Sequence, residues 1–160
     1  MNSLADLNFS RRRRLPVIQG AEAAECGLVC MAMIARYHSH DVDLNGLRQR
    51  FSLSMSGATL RSIMGLADGL GFAPRALRVE LSALDKVLLP AILHWDLNHF
   101  VVLKSVSNGK AVIHDPAAGA RTYSLDDLSK HFTGVALELT PSDTFEKVTA
   151  RAPIKLTSLW

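Results

Sequence analysis

A cysteine at the start of an apolar segment is the residue best suited to covalent chemistry in this sequence. Cys26 follows a polar loop at residues 20–25 and opens the segment Cys26–Tyr37, which is apolar at almost every position and predicts a buried helix. The N-terminus of a helix carries unpaired N–H groups and about half a positive charge, and both favour a thiolate. Cys26 is therefore a candidate nucleophile, although an unreactive core cysteine is the alternative at such a position.

The second cysteine, Cys30, lies one helical turn deeper, where no helix terminus acts on its thiol, and we expect it to be a packing residue. The two cysteines do not predict a metal site, because neither a second cysteine pair nor a closely spaced histidine pair supplies the remaining zinc ligands. They are also too few for a disulfide scaffold, and a bridge at this helical spacing is awkward. We expect a reducing compartment and no cofactor.

A cysteine nucleophile needs a base, and the base needs a group that orients its ring. The six histidines lie at predicted helix ends (His38, His40, His131) and on predicted strands (His94, His99, His114). Asp115 is followed by Pro116, which favours an extended conformation for the aspartate. The strand histidines and Asp115 are therefore the candidates for a base and its partner, with core packing as the alternative for His94 and His114.

The hairpin around residues 107–109 decides whether His99 and Asp115 can meet. A three-residue turn with Gly109 left-handed makes Asp115 the diagonal neighbour of His99 on one face, about 7–8 Å away at Cα and within hydrogen-bonding reach. A two-residue turn at Asn108 and Gly109 would shift the register and place the two side chains on opposite faces. The sequence permits the His99–Asp115 pair without requiring it.

The elements that must position these residues change in type along the chain. Helical spacing of apolar residues predicts further helices at residues 43–51 and 59–70, and a short capped helix at 124–132. Strands are predicted at residues 73–80, 91–95, 99–106, 110–114 and 135–139, with a turn or short helix at 81–87. Helices followed by an antiparallel sheet indicate an α+β fold in two lobes.

The composition fits one folded domain with short flanking segments. Of 160 residues, 48% are hydrophobic and 21% charged, so the chain can bury a core. Lys and Arg number 18 against 15 Asp and Glu, but four of the positive charges form the run Arg11–Arg14. The remaining body is nearly neutral, which excludes a domain-wide nucleic-acid footprint. We expect a flexible basic tail at residues 1–14, a folded domain at 15–140 and a linker at 141–160.

The sequence also limits where the chain can act. Its longest apolar run, residues 26–35, is about half the length of a membrane-spanning helix, and no signal peptide is recognisable. We therefore expect a cytoplasmic domain. For the Arg11–Arg14 run, attraction to an anionic membrane surface and a merely solvated tail are both open.

Several motifs in fixed order resemble those of the bacteriocin-processing cysteine peptidases, the N-terminal domains of peptidase-containing ABC transporters of the colicin V export type. The motifs are ECGLVC from residue 25, HWDLNHFVVL from residue 94 and HDPAAG from residue 114. The resemblance runs from about residue 15 to about residue 139. It implies a papain-like fold, with Cys26 as the nucleophile, His99 as the base and Asp115 as its orienting partner.

The resemblance also implies a substrate and partners. Members of this family cut the leader from a precursor peptide after a Gly-Gly type pair, on the cytoplasmic side of the inner membrane, and the attached transporter exports the rest. Residues 141–160 would lead into a transmembrane domain. The chain has no G-x-x-x-x-G-K-[ST] motif, so ATP binding is not expected of this segment.

One position departs from the family pattern. The family has a glutamine six residues before the cysteine, whose amide helps to form the oxyanion hole, whereas this chain has Gly20 there and Gln19 one residue earlier. Gln19 is our candidate for that role. The departure keeps a second hypothesis open, a non-cleaving or weakly active module that binds the leader. An acyl-transfer enzyme with the same Cys-His-Asp set is a third.

Overall fold

The computed structural model describes residues 13–20, 23–51, 57–143 and 145. Most of the expected basic tail, including Arg11 and Arg12, and most of the expected linker at 141–160 lie outside the described residues. After a 3₁₀ turn at Ala23–Glu25, the helices are α1 (Cys26–Tyr37), α2 (Leu44–Arg50) and α3 (Leu60–Gly69). Within the described ranges, no helix is both long and apolar enough to cross a membrane.

The second half of the chain forms an antiparallel sheet. Its strands are β1 (Phe72–Arg78), β2 (Ala91–Trp95), β3 (His99–Ser107), β4 (Lys110–Asp115), β5 (Gly119–Ser124) and β6 (Phe132–Pro141). A 3₁₀ helix at Leu81–Lys86 and the short helix α4 (Leu125–Ser129) complete the fold. The spatial order is β1-β6-β2-β3-β4-β5, so helices precede a six-stranded sheet. The α+β fold predicted from the sequence is confirmed.

Helix α1 occupies the centre of the molecule because it has no polar face. Every residue from Cys26 to Ala35 is buried, and α1 packs against the face of the sheet that carries Ile92, Phe100 and Val102. The opposite face of the sheet is covered by the 3₁₀ helix and α4, through Leu84 and Leu128. Alternating side chains of β2 and β3 thus serve two cores, and the sheet is fixed on both sides.

One strand of the sheet is not among those predicted from the sequence. Strand β5 lies at the edge of the sheet, and most of its side chains are exposed. Its sequence, GARTYS, lacks the apolar alternation that reveals a half-buried strand. Strand β6 is also longer than the predicted 135–139, because Phe132 pairs with Trp95 at one end and Thr140 and Pro141 pair with β1 at the other.

The β3–β4 hairpin has one of the two turns that the sequence permits. Asn108 and Gly109 both have positive φ, at 52° and 71°, and Ser107 pairs with Lys110, so the turn has two residues rather than three. Next to the turn, β3 and β4 pair in the register that a two-residue turn sets, as far as Ser105 and Val112. An extra residue in β3, the exposed Lys104, then forms a bulge.

Beyond the bulge the strands pair in the register that a three-residue turn would have given. Leu103 pairs with Ile113, and Val102 pairs with His114. The turn is the two-residue form that the sequence left open, and the bulge offsets its one-residue shift before the strands reach His99 and Asp115. His99 and Asp115 therefore end on one face of the sheet.

Candidate active site

The start of α1 is held in place by an unusually close approach of two helices. A Cβ on Gly27 would lie 2.7 Å from Ile63 Cγ1 and 2.8 Å from the Cβ of Ala58. Only glycine fits there without displacing α3. Cys26, directly before it, is 2% exposed and stands at the first position of α1. The glycine of the ECG motif thus fixes where the thiol emerges from the core.

His99 and Asp115 are brought together at the ends of β3 and β4. His99 Nε2 and Asp115 Oδ1 are 2.7 Å apart, and their side chains are 19% and 9% exposed. The backbone N–H of Ala117 donates to the same carboxylate oxygen at 2.8 Å. Asp115 is therefore held from both sides and in turn fixes the orientation of the imidazole.

The third member of the cluster is Cys26, whose thiol is close enough to His99 to help raise the pKa of the imidazole. Because Nε2 of His99 faces Asp115, the other ring nitrogen is left for the thiol. The hydrogen bonds with Asp115 and then Cys26 raise the pKa of His99 to about 9, against the opposing effect of burial. At neutral pH the imidazole is therefore protonated and can act as an acid beside Cys26.

The ionisation of Asp115 agrees with this arrangement. Burial alone would raise the pKa of its carboxyl group, but the hydrogen bonds from His99 and the Ala117 N–H outweigh burial and lower it. The carboxylate is thus charged wherever the imidazole is charged near neutrality. Removing either partner would leave the other charge unpaired in a mostly buried site, which is strongly destabilising.

Cys30 is placed differently. It is completely buried, and burial, followed by the nearby Cys26 and Asp115, raises the pKa of its thiol well above the ordinary value. A thiol in this state is a poor nucleophile and a poor metal ligand. Among the described residues, no group of three or more potential metal ligands lies close enough to bind an ion.

Gln19 lies beside the β4–β5 turn. Its Nε2 atom is 3.4 Å from the point that a Cβ on Gly119 would occupy, and the neighbouring Gly20 N–H donates to Pro116 O at 3.1 Å. The segment that precedes Cys26 is thus fastened to the loop that follows Asp115. Gly20, at the family's glutamine position, has no side chain to offer.

The other two strand histidines, His94 and His114, form hydrogen bonds with other segments of the chain. His94 bonds Thr133 Oγ1 at 2.7 Å and Leu97 O at 2.9 Å, which ties the turn preceding His99 to β6. His114 is within 2.9 Å of Pro16 O. Core packing, the alternative for these two histidines, holds for His114, which is 3% exposed, whereas His94 is half-buried.

A contact that the sequence did not signal lies on the other side of Cys26. Glu25, directly before the cysteine, forms a bidentate ion pair with Arg48 of α2, at 2.5 and 2.7 Å. The partners are 23 positions apart and belong to different elements. No spacing rule connects them, so only the packing of α2 against α1 could reveal the pair.

Residues 14–144 match the Peptidase C39 family. The chain belongs to this family. It is 49% identical over 157 residues to "Colicin V secretion/processing ATP-binding protein CvaB" of Escherichia coli. The match covers 98% of this chain and 22% of the relative. It is 47% identical to "Probable microcin-H47 secretion/processing ATP-binding protein MchF" of the same species, over 96% of this chain and 22% of the relative. The chain thus spans about a fifth of the length of these curated relatives.

Solved structures give the same family and fold. A "double glycine motif protease from AMS/PCAT transporter in complex with the leader peptide" superimposes with a TM-score of 0.76 and 34% identity, covering 82% of this chain and 94% of that one. The "Peptidase Domain of Streptococcus ComA" superimposes with a TM-score of 0.73 over 81% of this chain and all of that one, at 23% identity. The family expected from the sequence motifs is confirmed, and the chain is a peptidase of the cysteine class.

Proposed function

We propose that this chain is a cysteine endopeptidase that removes the leader from a bacteriocin or similar precursor peptide after a Gly-Gly type pair, in step with export by an ABC transporter. The observation that carries the proposal is the cluster of Cys26, His99 and Asp115, in which the imidazole is hydrogen-bonded to a buried carboxylate and lies beside a thiol at a helix start. This is the arrangement that thiol-dependent acyl transfer requires.

The proposed reaction has two steps. The Cys26 thiolate attacks the carbonyl carbon of the second glycine, and a C–S bond forms as the peptide C–N bond breaks. The imidazolium of His99 gives its proton to the leaving amine and then accepts one from the water that hydrolyses the thioester. Asp115 stays ionised throughout and keeps the ring oriented between the thiol and the substrate nitrogen.

The developing oxyanion needs hydrogen-bond donors, and two are proposed. The backbone N–H of Cys26 lies at the start of α1, where N–H groups have no partner within the helix. The side-chain amide of Gln19 is the second, because it is the single Asn or Gln side chain between Asn8 and Asn45. Gln19 lies on the segment that leads into Cys26, and its side-chain amide is beside Gly119.

The substrate and partners are proposed from the relatives. Two relatives carry secretion and processing of colicin V and microcin H47 in their names, and the solved relative was crystallised with a leader peptide. Since this chain spans about a fifth of such proteins, we propose that transmembrane and ATP-binding domains of the same transporter are its partners. The peptidase domain would then work at the cytoplasmic face of the bacterial inner membrane.

The second candidate is a leader-binding module that cleaves slowly or not at all. The observation in its favour is Gly20, which stands where the family has its oxyanion glutamine. The presence of Cys26, His99 and Asp115 together favours the peptidase hypothesis. Binding a leader does not require an imidazole placed between a thiol and a carboxylate.

Cleavage of a synthetic precursor with a single Gly-Gly pair separates the two candidates. Mass spectrometry should find one cut, after the second glycine, and no cut when that glycine is replaced by valine. Cys26→Ala should abolish cleavage, because members of a triad act as a unit, while Cys30→Ala retains most of it. Activity should survive EDTA and be stopped by iodoacetamide on Cys26. Binding of the precursor without any cut by the wild type would favour the binding module.

A further inference from the structure

Glu25, the residue directly before Cys26 in the chain, forms an ion pair with Arg48. Glu25 is also the N-cap of α1, yet its side chain makes no capping hydrogen bond to the helix. Both carboxylate oxygens are instead taken by Nε and Nη2 of Arg48, and the Glu25 side chain is only 14% exposed. The carboxylate is therefore directed away from the N–H groups of α1.

The Arg48 side chain is held in the geometry that this pairing needs. Its third nitrogen, Nη1, donates to Asn45 Oδ1 at 2.9 Å, one turn earlier in α2. The neighbouring Leu47 is buried, at 3% exposure, and anchors α2 in the same core as α1. The guanidinium fork thus reaches Glu25 from a fixed helix, which is the rigid bidentate geometry that arginine, unlike lysine, provides.

We propose that Arg48 is a positioning residue for the Cys26 nucleophile: it neutralises and restrains the Glu25 carboxylate, which would otherwise disfavour the thiolate and compete for the helix N–H groups. An unpaired carboxylate adjacent to a thiol opposes its ionisation, because like charges repel in a partly buried site. This inference rests on the proposed thiol mechanism and adds a residue from a third element to it.

Ionisation of Glu25 agrees with this role. The hydrogen bond from Arg48 and its positive charge lower the pKa of the Glu25 carboxyl group, despite the opposing effect of burial. The ionisable groups shown to interact with Cys26 are His99 of the sheet, which is bonded to Asp115, and Cys30 of α1. The hydrogen bonds of Arg48 to Glu25 and Asn45 involve none of these groups.

The test follows the pH at which Cys26 reacts with iodoacetamide in the whole chain, with the modified residue identified by mass spectrometry. Arg48→Ala should move the midpoint of this reaction upward by about one pH unit, the scale of a neighbouring charge in a partly buried site. Glu25→Gln should move it in the opposite direction, since the arginine remains. The double variant should return towards the wild-type midpoint.

Arg50→Ala is the matched control, because Arg50 lies on the same helix and donates to Gly69 O rather than to Glu25. Its midpoint should match that of the wild type. Equal shifts in Arg48→Ala and Arg50→Ala, or no shift in either, would overturn the proposal. If Arg48→Ala does not fold, as judged by circular dichroism, Glu25→Gln decides, and an unchanged midpoint there rejects the role.

Alkylation does not depend on leader cleavage, so the proposed function and this inference can fail separately. A wild type that cuts no precursor while the midpoints shift as expected would reject the peptidase and retain the role of Arg48. If the precursor is cut, the loss of activity in Arg48→Ala should shrink as the pH rises above the shifted midpoint. A loss that is constant with pH would point to a purely structural role.

Discussion

At the residue scale, the protonation of His99 sets the pH range expected for the proposed cleavage reaction. The hydrogen bonds with Asp115 and Cys26 raise the pKa of its imidazole from the ordinary 6.5 to about 9, so the ring is protonated through the neutral range. The interactions that stabilise the charged ring are fully present below about pH 6.5. They are lost as the pH rises through about 9, where the ring gives up its proton.

The pH dependence of cleavage should follow from this shift. For the wild type, kcat/KM should fall as the pH rises through about 9, because a neutral His99 cannot protonate the leaving amine. Asp115→Asn removes the largest cause of the shift and should move this decline to lower pH, towards the ordinary histidine range. Parallel pH profiles of both proteins test this. An unchanged profile in Asp115→Asn would show that the carboxylate does not govern the ionisation of the ring.

The oxyanion donor gives a second prediction at this scale. Gln19→Ala should lower the rate constant by about 10²–10³, the usual cost of one lost donor, and leave precursor binding almost unchanged. Single-turnover kinetics and a direct binding measurement separate the two effects. Full activity of Gln19→Ala together with faster cleavage by Gly20→Gln would mean that the family position, and not Gln19, is the place for this donor.

Individual residues were predictable from the sequence where local physics acts on them. Cys26 was selected by its place at a helix start, and the structure shows that helix starting there. The pair Glu25–Arg48 could not be predicted, because it depends on how α2 packs against α1. Gln19 was selected by elimination, and its neighbour across space, Gly119, could not have been foreseen from its place in the sequence.

At the element scale, the β3–β4 hairpin shows how a two-residue turn can still bring His99 and Asp115 together. The dipeptide Asn108-Gly109 is a strong signal for a two-residue turn, and that turn is present. A bulge leaves no comparable signal, because Lys104 is an ordinary exposed strand residue. With a two-residue turn, His99 meets Asp115 because the bulge shifts the register back by one residue.

Two glycines with open space around them should respond oppositely to alanine. A Cβ would meet nothing within 4 Å at either Gly65 in α3 or Gly109 in the turn, but Gly109 has a φ of +71°. Gly65→Ala should raise the free energy of unfolding by about 0.5–1 kcal/mol, because alanine favours a helix. Gly109→Ala should lower it by about 1–2 kcal/mol, the cost of a left-handed conformation.

Denaturant unfolding of the two glycine variants measures both changes. Because neither glycine touches the site, kcat for precursor cleavage should stay at the wild-type value in both proteins. Changes of the same sign would show that packing, rather than backbone conformation, controls one of the two positions.

At the scale of the whole molecule, the segment at residues 15–20 joins the helical lobe to the end of the sheet. Leu15 is buried in the core that surrounds α1, at 6% exposure. Pro16 O contacts His114 of β4, and the Gly20 N–H donates to Pro116 O. This segment thus spans the two elements that supply Cys26 and Asp115, although its sequence suggested no regular structure.

Two truncations test how far this segment contributes. A chain that starts at residue 15 lacks only the basic tail and should keep wild-type cleavage and thermal stability. A chain that starts at residue 21 also loses the buried Leu15 side chain, which alone contributes about 1.5–3 kcal/mol, and both backbone contacts with the sheet. It should therefore unfold at lower temperature, and it should cleave more slowly, in part because it also lacks Gln19, the proposed oxyanion donor. Thermal melts with matched cleavage assays measure both effects, and equal behaviour of the two truncated chains would contradict this role.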